Sequence, residues 1–264
     1  MSLLVATDLD GTLLPYDSAT VPSYTAEVLR RADEAGIPIV FVTARPLRWM
    51  EPLWPYVGRH GRAIVSNGAI TYDVHRRAPI TVAGIEPGPG LELVAAIAES
   101  VPGASFAVEC LDGIRQDPQW EEPYHLPAGA VRGPLADVWD LTAVKLLVRA
   151  PGSSPEALRE GVVAAVGERA TPTWSVPGLM EISATGVTKA SALVALCEGL
   201  GVGADDVVAF GDMPNDIPML SWAGTSYAMA DAHESVREVA GHVAPACADE
   251  GVAQVLDRLL TLRS

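Results

Sequence analysis

Hydrophobic and polar positions along the chain fall into three stretches of different rhythm. In the first, short apolar runs alternate with amphipathic segments. Leu3 to Thr7 reads as a buried strand that stops abruptly at Asp8-Leu9-Asp10-Gly11-Thr12. Val21 to Ala35 carries apolar residues at helical spacing, with Ser23 as the expected N-cap and Gly36 as the stop. Ile37 to Val42 is a second apolar strand, ending at Thr43-Ala44-Arg45. Pro46 to Val57 contains Pro52 and Pro55 and predicts only irregular helix. Ala63 to Ser66 is a third strand, and Asn67-Gly68 a tight turn into Ala69 to Tyr72. The β-α-β order predicts a right-handed parallel crossover, which sets Thr43 on the same sheet edge as Asp8.

From about Gly84 the rhythm changes. Leu91 to Val101 predicts a helix, Ser105 to Cys110 a strand, and residues 112 to 136 are rich in proline, glycine and acid with weak periodicity. A strand at Ala143 to Arg149, a helix opening at Ser154-Pro155-Glu156, and short strands near Thr173 to Val176 and Met180 to Ser183 follow. Strands bunched around two helices suggest an α+β unit with an antiparallel sheet. The first rhythm resumes at Thr188, with a helix from Lys189 to about Leu200 and a strand from Val207 to Phe210. Gly211-Asp212-Met213-Pro214-Asn215-Asp216 leads into a helix through Met219 and Leu220. A strand at Ser226 to Ala230, a helix near Ser235 to Ala240 and a terminal helix from Gly251 to Leu262 close the chain. The expected architecture is an α/β, Rossmann-like core with a parallel sheet, residues 1–83 and 186–264, interrupted by an α+β insertion at 84–185.

Composition narrows the function classes. At 264 residues, 49% of them hydrophobic, the chain is long enough to bury the core of one large domain or of two ordinary ones. Its apolar runs fall short of the roughly 18 residues a membrane span needs. The opening run leads straight into aspartates, unlike a secretory leader, so a cytoplasmic location is expected. A net charge of -15 argues against a nucleic-acid partner, which needs a basic stripe. Cys110, Cys197 and Cys247 are too scattered for disulfides or a zinc site and read as buried thiols. Lysine and asparagine are nearly absent: Lys145, Lys189, Asn67 and Asn215 are all there are.

Asp8 and Asp10, at i and i+2 of an extended segment, point the same way, and Gly11 lets the backbone turn from them. Asp212 and Asp216 form a second acidic pair at a strand end. Ligands of open α/β sheets sit beyond the carboxyl ends of the strands, so four carboxylates would share one crevice. Buried carboxylates are costly unless a cation or hydrogen bonds compensate, so the arrangement asks for a metal ion, a basic side chain or both, and a hard divalent ion such as Mg²⁺ suits oxygen ligands. Lys189, at a helix start, could neutralise an anionic substrate beside them, and Thr43 adds a hydroxyl. Each also has a plainer explanation. An isolated Asp-x-Asp is common in surface loops, and Thr43 could simply cap a turn. Arg45 and Arg48 could bind substrate or solvate a surface. Lys145 is expected as an exposed sheet residue, and Arg115, Trp120 and His125 as solvated loop residues. Trp49 and Trp54 read as packing, and His60, His75, His233 and His242 show no ligand spacing.

Taken together, Asp8-Leu9-Asp10-Gly11-Thr12, Thr43 after its strand, Lys189 at its helix start and the Gly211 to Asp216 segment resemble the four motifs of the haloacid dehalogenase-like hydrolases. The position of the insertion, with Asn67-Gly68-Ala69 and Asp249-Glu250-Gly251-Val252-Ala253, resembles the Cof-like, type IIB branch of sugar-phosphate phosphatases, whose inserted cap sets substrate specificity. The resemblance implies Asp8 as nucleophile, forming an aspartyl-phosphate, and Asp10 as general acid and base. It implies Thr43 and Lys189 as holders of the phosphoryl oxygens, with Asn215, Gly11, Thr12 and Arg45 on the substrate side. Mg²⁺ would be held by Asp8, Asp212 and the Asp10 carbonyl, with Asp216 ordering the ion's surroundings. An acid at position 10 marks phosphoryl-transferring members and is lacking in dehalogenating ones. The expected partner is a small phosphorylated metabolite. A phosphomutase using the same phosphoaspartate and a non-catalytic metabolite-binding protein are the rival expectations. Two departures stand out: Ala44 replaces the branch's usual glycine, and Ala230-Asp231-Ala232 stands where Gly-Asn-Ala is usual.

Overall fold

A computed structural model describes residues 3–16, 18–121 and 129–263; His125 lies outside them. The chain divides into two compact units, Met1–Thr81 with Thr188–Ser264, and Val82–Val187. The first segment contributes β1 (Leu4–Thr7), α1 (Ser23–Glu34), β2 (Ile39–Val42), β3 (Arg62–Val65), β4 (Ile70–Asp73) and β5 (Ala78–Val82). The second unit holds α2 (Pro87–Ser100), β6 (Ser105–Cys110), β7 (Gly113–Gln116), β8 (Val131–Arg132), α3 (Leu135–Val138), β9 (Ala143–Arg149), α4 (Pro155–Val166), β10 (Ala170–Thr173) and β11 (Met180–Ala184). The returning segment supplies α5 (Lys189–Leu200), β12 (Val207–Gly211), α6 (Ile217–Trp222), β13 (Thr225–Met229), α7 (Glu234–Val239), β14 (His242–Ala244) and α8 (Gly251–Arg263).

Among the described residues the first unit has one sheet of eight strands, in the order β14-β13-β12-β1-β2-β3-β4-β5. From β14 to β3 every pairing is parallel, and β3 and β4 form an antiparallel hairpin. β1, β2 and β12 are buried at every position, as strands covered on both faces are, which is why they read as unbroken apolar runs. In register, Thr7 lies beside Phe210 on one side and Phe41 on the other. The carboxyl ends of β1, β2 and β12 are therefore level, and the chain leaves all three at one sheet edge.

Helix α1 starts differently from expectation. Pro22 holds the N-cap position and Ser23 is the first helical residue, with no side-chain cap of its own. The Glu250 carboxylate caps the helix from the far end of the chain, accepting from the N–H of Thr25 at 2.9 Å and its hydroxyl at 2.8 Å. Gly36, at φ +77°, does end the segment. Pro46 to Val57 forms two short 3₁₀ turns, as its prolines demand.

The second unit is α+β, as expected, with sheet order β10-β11-β9-β6-β7-β8. Its pairings are antiparallel except β7 with β8. Leu93 and Ile97 of α2 and Leu158 and Val162 of α4 share one core with Phe106, Val108, Leu146 and Val148 of the sheet. Ser154 caps α4, accepting from the Ala157 N–H. Strand β10 lies three residues earlier than its expected start, and β7 and β8 emerge from a stretch too rich in turn residues to announce them. The edge strands β5 and β14 went unpredicted as well. β5 is exposed over most of its length, so no buried face imposes a pattern.

Three side chains expected in solvent are buried instead. Lys145 is in the central strand β9 and donates to Glu181 of the neighbouring β11, whose other oxygen accepts from Ser175 at 2.9 Å. Arg115, in β7, lies between Asp112 at 2.5 Å and Asp140 at 2.9 Å. Trp120 is 1% exposed and packs with Ala107, Ile114 and Leu147. The charges are tolerated because ion partners arrive from other strands and loops. Cys110, Cys197 and Cys247 are buried free thiols, as expected. Among the described residues no helix is long and apolar enough to cross a membrane.

Candidate active site

The site forms where β1, β2, β12 and the start of α5 meet. Directly after β1, Asp8 donates its N–H to Phe210 of β12 at 3.1 Å. The chain then turns at Gly11, which sits at φ +77° and whose N–H donates to the Leu14 carbonyl. A Cβ on Gly11 would lie 2.3 Å from Oδ2 of Asp212 and 2.7 Å from the Tyr16 ring. Only glycine fits there. Helix α5 is fixed by a capping box: the Ser191 N–H donates to the Thr188 hydroxyl at 3.0 Å, and the Thr188 N–H to the Ser191 hydroxyl at 2.9 Å. Lys189, its first residue, is thereby aimed at the carboxylates.

Lys189 Nζ donates to Asp8 Oδ1 at 2.7 Å and to Asp216 Oδ1 at 2.6 Å. The other oxygen of Asp216 accepts from the N–H groups of Asp212 and Met213, both at 3.0 Å. Asp212 in turn accepts from the Thr12 hydroxyl at 2.7 Å and the Tyr16 hydroxyl at 2.6 Å. Asp8, Asp212, Asp216 and Lys189 are all buried, and oxygens of the three carboxylates lie within 4.8 Å of one another.

Burial dominates the electrostatics. It raises the Asp8 carboxyl well above the usual range; Lys189 opposes this, while Asp216 and Asp212 add to it. Asp212 is pushed up to about 6, by burial first and Asp216 second, and held back by the hydrogen bonds from Tyr16 and Thr12. Burial works to lower the Lys189 ammonium, but Asp216 and Asp8 outweigh it, so the group stays charged beyond the ordinary lysine range. The Tyr16 phenol is raised by burial and by its bond to Asp212. When all three carboxylates are ionised they leave two negative charges in excess of the one ammonium, the amount one divalent cation neutralises. The donor set is hard oxygen throughout, which fits Mg²⁺.

Asp10 stands beside this group. Its carboxylate takes a two-pronged bond from Arg45, at 2.7 Å to Nε and 2.5 Å to a terminal nitrogen, and Arg45 also donates to the Ser18 carbonyl at 2.7 Å. Arg45 is thus buried on Asp10 and does not solvate a surface. Arg48 lies over the ring of Trp49. The Thr43 hydroxyl, at the end of β2, accepts from the Arg45 N–H at 3.0 Å. Asn215 donates to the Asn67 carbonyl oxygen at 3.1 Å. Tyr16 and Asn67 were not anticipated as site residues. Nothing in the sequence marked Tyr16, whereas the rarity of asparagine did single out Asn67.

Residues 5–256 match the haloacid dehalogenase-like hydrolases. The chain belongs to this family. This hydrolase is 28% identical to a pyridoxal phosphate phosphatase of Escherichia coli, over 96% of its own length and 97% of that protein's. It is 30% identical to a phosphoglycolate phosphatase of Methanopyrus kandleri, over 98% of each chain. Its fold superposes on a solved subclass IIB sugar phosphatase of the family with a TM-score of 0.82, at 21% identity and covering 97% and 98% of the two chains. That likeness shows the fold, a Rossmann-like core with an α+β insertion. The hydrolase is an enzyme, and phosphatase is the class its relatives' names share.

Proposed function

We propose that this hydrolase is a magnesium-dependent phosphatase of small phosphate monoesters that works through an aspartyl-phosphate on Asp8. What supports it most is the buried Lys189 ammonium bridging Asp8 and Asp216 beside Asp212, a positively charged point within a site two charges short of neutral. A carboxylate held by one oxygen cannot rotate freely, so Asp8 is presented in a fixed direction. Its oxygen attacks phosphorus in line, forming an acyl-phosphate bond as the bond to the leaving alcohol breaks. Asp10, once protonated and turned from Arg45 to the leaving oxygen, gives it that proton and later takes one back from the water that opens the intermediate.

Lys189 and the Thr43 hydroxyl are the donors for the phosphoryl oxygens, pre-set so that nothing has to reorganise as charge develops there. Gly11 and Thr12 shape the turn beneath the phosphoryl group, Thr12 by fixing Asp212. Asp8, Asp212 and the main-chain carbonyl of Asp10 would hold Mg²⁺, with Asp216 behind them; the ion supplies charge neutralisation when bound. Asn215 contacts the phosphoryl group. The inserted unit chooses the leaving group, and the substrate is a small phosphorylated metabolite such as a sugar phosphate, pyridoxal phosphate or phosphoglycolate.

The test is phosphate release from a panel of such esters, with Mg²⁺ and with chelator, for the native chain and Asp8→Asn. Metal-dependent release that vanishes in Asp8→Asn, in a protein that melts normally, is the expected result. Turnover surviving Asp8→Asn, or isomer formation without free phosphate, would overturn the proposal.

A further inference from the structure

The chain's only two asparagines, Asn67 and Asn215, are 148 residues apart and meet side chain to side chain. Both are buried, Asn67 to 2% exposure, and among the described residues Asn67 Nδ2 and Asn215 Oδ1 have no further partner. Asn67 belongs to a turn built against preference. Ser66 and Asn67 take φ of 51° and 57°, two left-handed residues in succession with side chains, and Gly68 follows at φ 101°. Such strain persists only where the surroundings impose it, and it gathers at functional sites.

The surroundings here are the site's own loops. The Ser66 N–H donates to the Arg45 carbonyl and the Asn67 N–H to the Thr43 carbonyl, both at 3.0 Å. Gly68 lies so close to the start of α5 that a Cβ would come within 2.1 Å of the Thr188 carbonyl oxygen. Through Asn215 the same turn reaches the segment that carries Asp212 and Asp216. One three-residue turn therefore touches the Thr43, Lys189 and Asn215 loops at once.

We propose that Asn67 is a positioning residue for phosphoryl transfer, setting the orientation of Asn215 and keeping the Thr43 loop in register with it. This rests on the phosphatase proposal above. The plainer alternative is that asparagine is present only because it tolerates a left-handed backbone. Asn67→Gly separates the two, since glycine satisfies that backbone fully and removes only the amide.

The experiment compares kcat, KM and melting midpoint for the native chain, Asn67→Gly, Asn67→Asp, Asn215→Ala and the double variant Asn67→Gly/Asn215→Ala. Asn67→Gly should lose about 10- to 100-fold in kcat, as slight misplacement of reacting groups does, with little change in KM or melting. The double variant should be no slower than Asn215→Ala alone, because the two residues act as one unit. Asn67→Asp, which keeps the acceptor for Asn215 Nδ2, should recover part of the loss. Native turnover in Asn67→Gly, or losses that multiply in the double variant, would overturn the inference and leave the phosphatase proposal standing. Early melting of Asn67→Gly and Asn67→Asp with equal losses in both would reassign Asn67 to folding alone. A native chain that releases phosphate from no ester overturns both proposals.

Discussion

Replacing Lys189 by methionine removes one charge from the centre of the site while keeping its volume. Lys189 is 1% exposed and lies within 2.7 Å of both Asp8 and Asp216, so the variant leaves buried carboxylates with no countercharge. Breaking a buried pair by deleting one partner costs about 3–5 kcal/mol. At about 2–4 °C per kcal/mol for a domain of this size, the melting midpoint should fall by roughly 6–20 °C in chelator at pH 7.5. The penalty should depend on pH in a definite direction. Asp212 titrates at about 6 in the folded chain, above its value of about 4 when unfolded. Between those values the native state binds the extra proton, so stability present at low pH is lost as the pH rises through about 6. Lys189 holds the Asp8 and Asp212 values down, so in Lys189→Met both rise further and are more fully neutral at pH 5. The variant should therefore lie nearer the native chain at pH 5 than at pH 7.5, and Mg²⁺ should restore part of the difference at the higher pH. Turnover should drop by about 10²–10³, the usual loss when one charge-stabilising donor is removed. Thermal melts at the two pH values, with and without Mg²⁺, decide the matter. A variant melting within about 2 °C of the native chain at pH 7.5 in chelator would mean that the three acids do not share an uncompensated buried charge.

As a proposed ligand, Asp212 would have to give up its proton to Mg²⁺, so calorimetric titration with MgCl₂ should show affinity roughly tenfold weaker at pH 5 than at pH 7.5; an affinity flat across that range would count against Asp212 as a ligand. Tyr16→Phe deletes a 2.6 Å bond that holds the Asp212 value down, so Mg²⁺ should bind about tenfold more weakly, most clearly near pH 6, in the same titration. Unchanged binding would make Tyr16 a bystander.

Much of the site was legible because its residues sit where elements end. The apolar runs of β1, β2 and β12 stop within a residue or two of Asp8, Thr43 and Asp212, and a strand end in a parallel sheet can face only one crevice. Lys189 was foreseen as a helix start, because a threonine N-cap and an apolar period mark it locally. What stayed hidden depends on partners far along the chain. Glu250 caps α1 across 225 residues, and Lys145 is buried because Glu181 comes beside it from another strand. Tyr16 reaches Asp212 only because the turn at Gly11 brings its ring back. The edge strands β5 and β14 had no two-sided burial to write a pattern into the sequence.

The central strand of the first unit's sheet also governs the order in which the enzyme can be made. β1 leaves the ribosome first, and β2 can pair with it within a few dozen residues, but its other neighbour, β12, comes about two hundred residues later. Between them the chain emits Val82–Val187, a unit with its own sheet and core, free to fold while β1 still waits. Pairings this distant in sequence close slowly, since the loop must be ordered before the contact rewards it. Until β12 docks, the buried flank of β1 is an open strand edge and Asp8 has neither Asp212 nor Asp216 beside it. The nascent chain therefore lacks two of the three clustered carboxylates and is most exposed to mispairing along one and the same edge, and a single late event, the arrival of β12, ends both conditions.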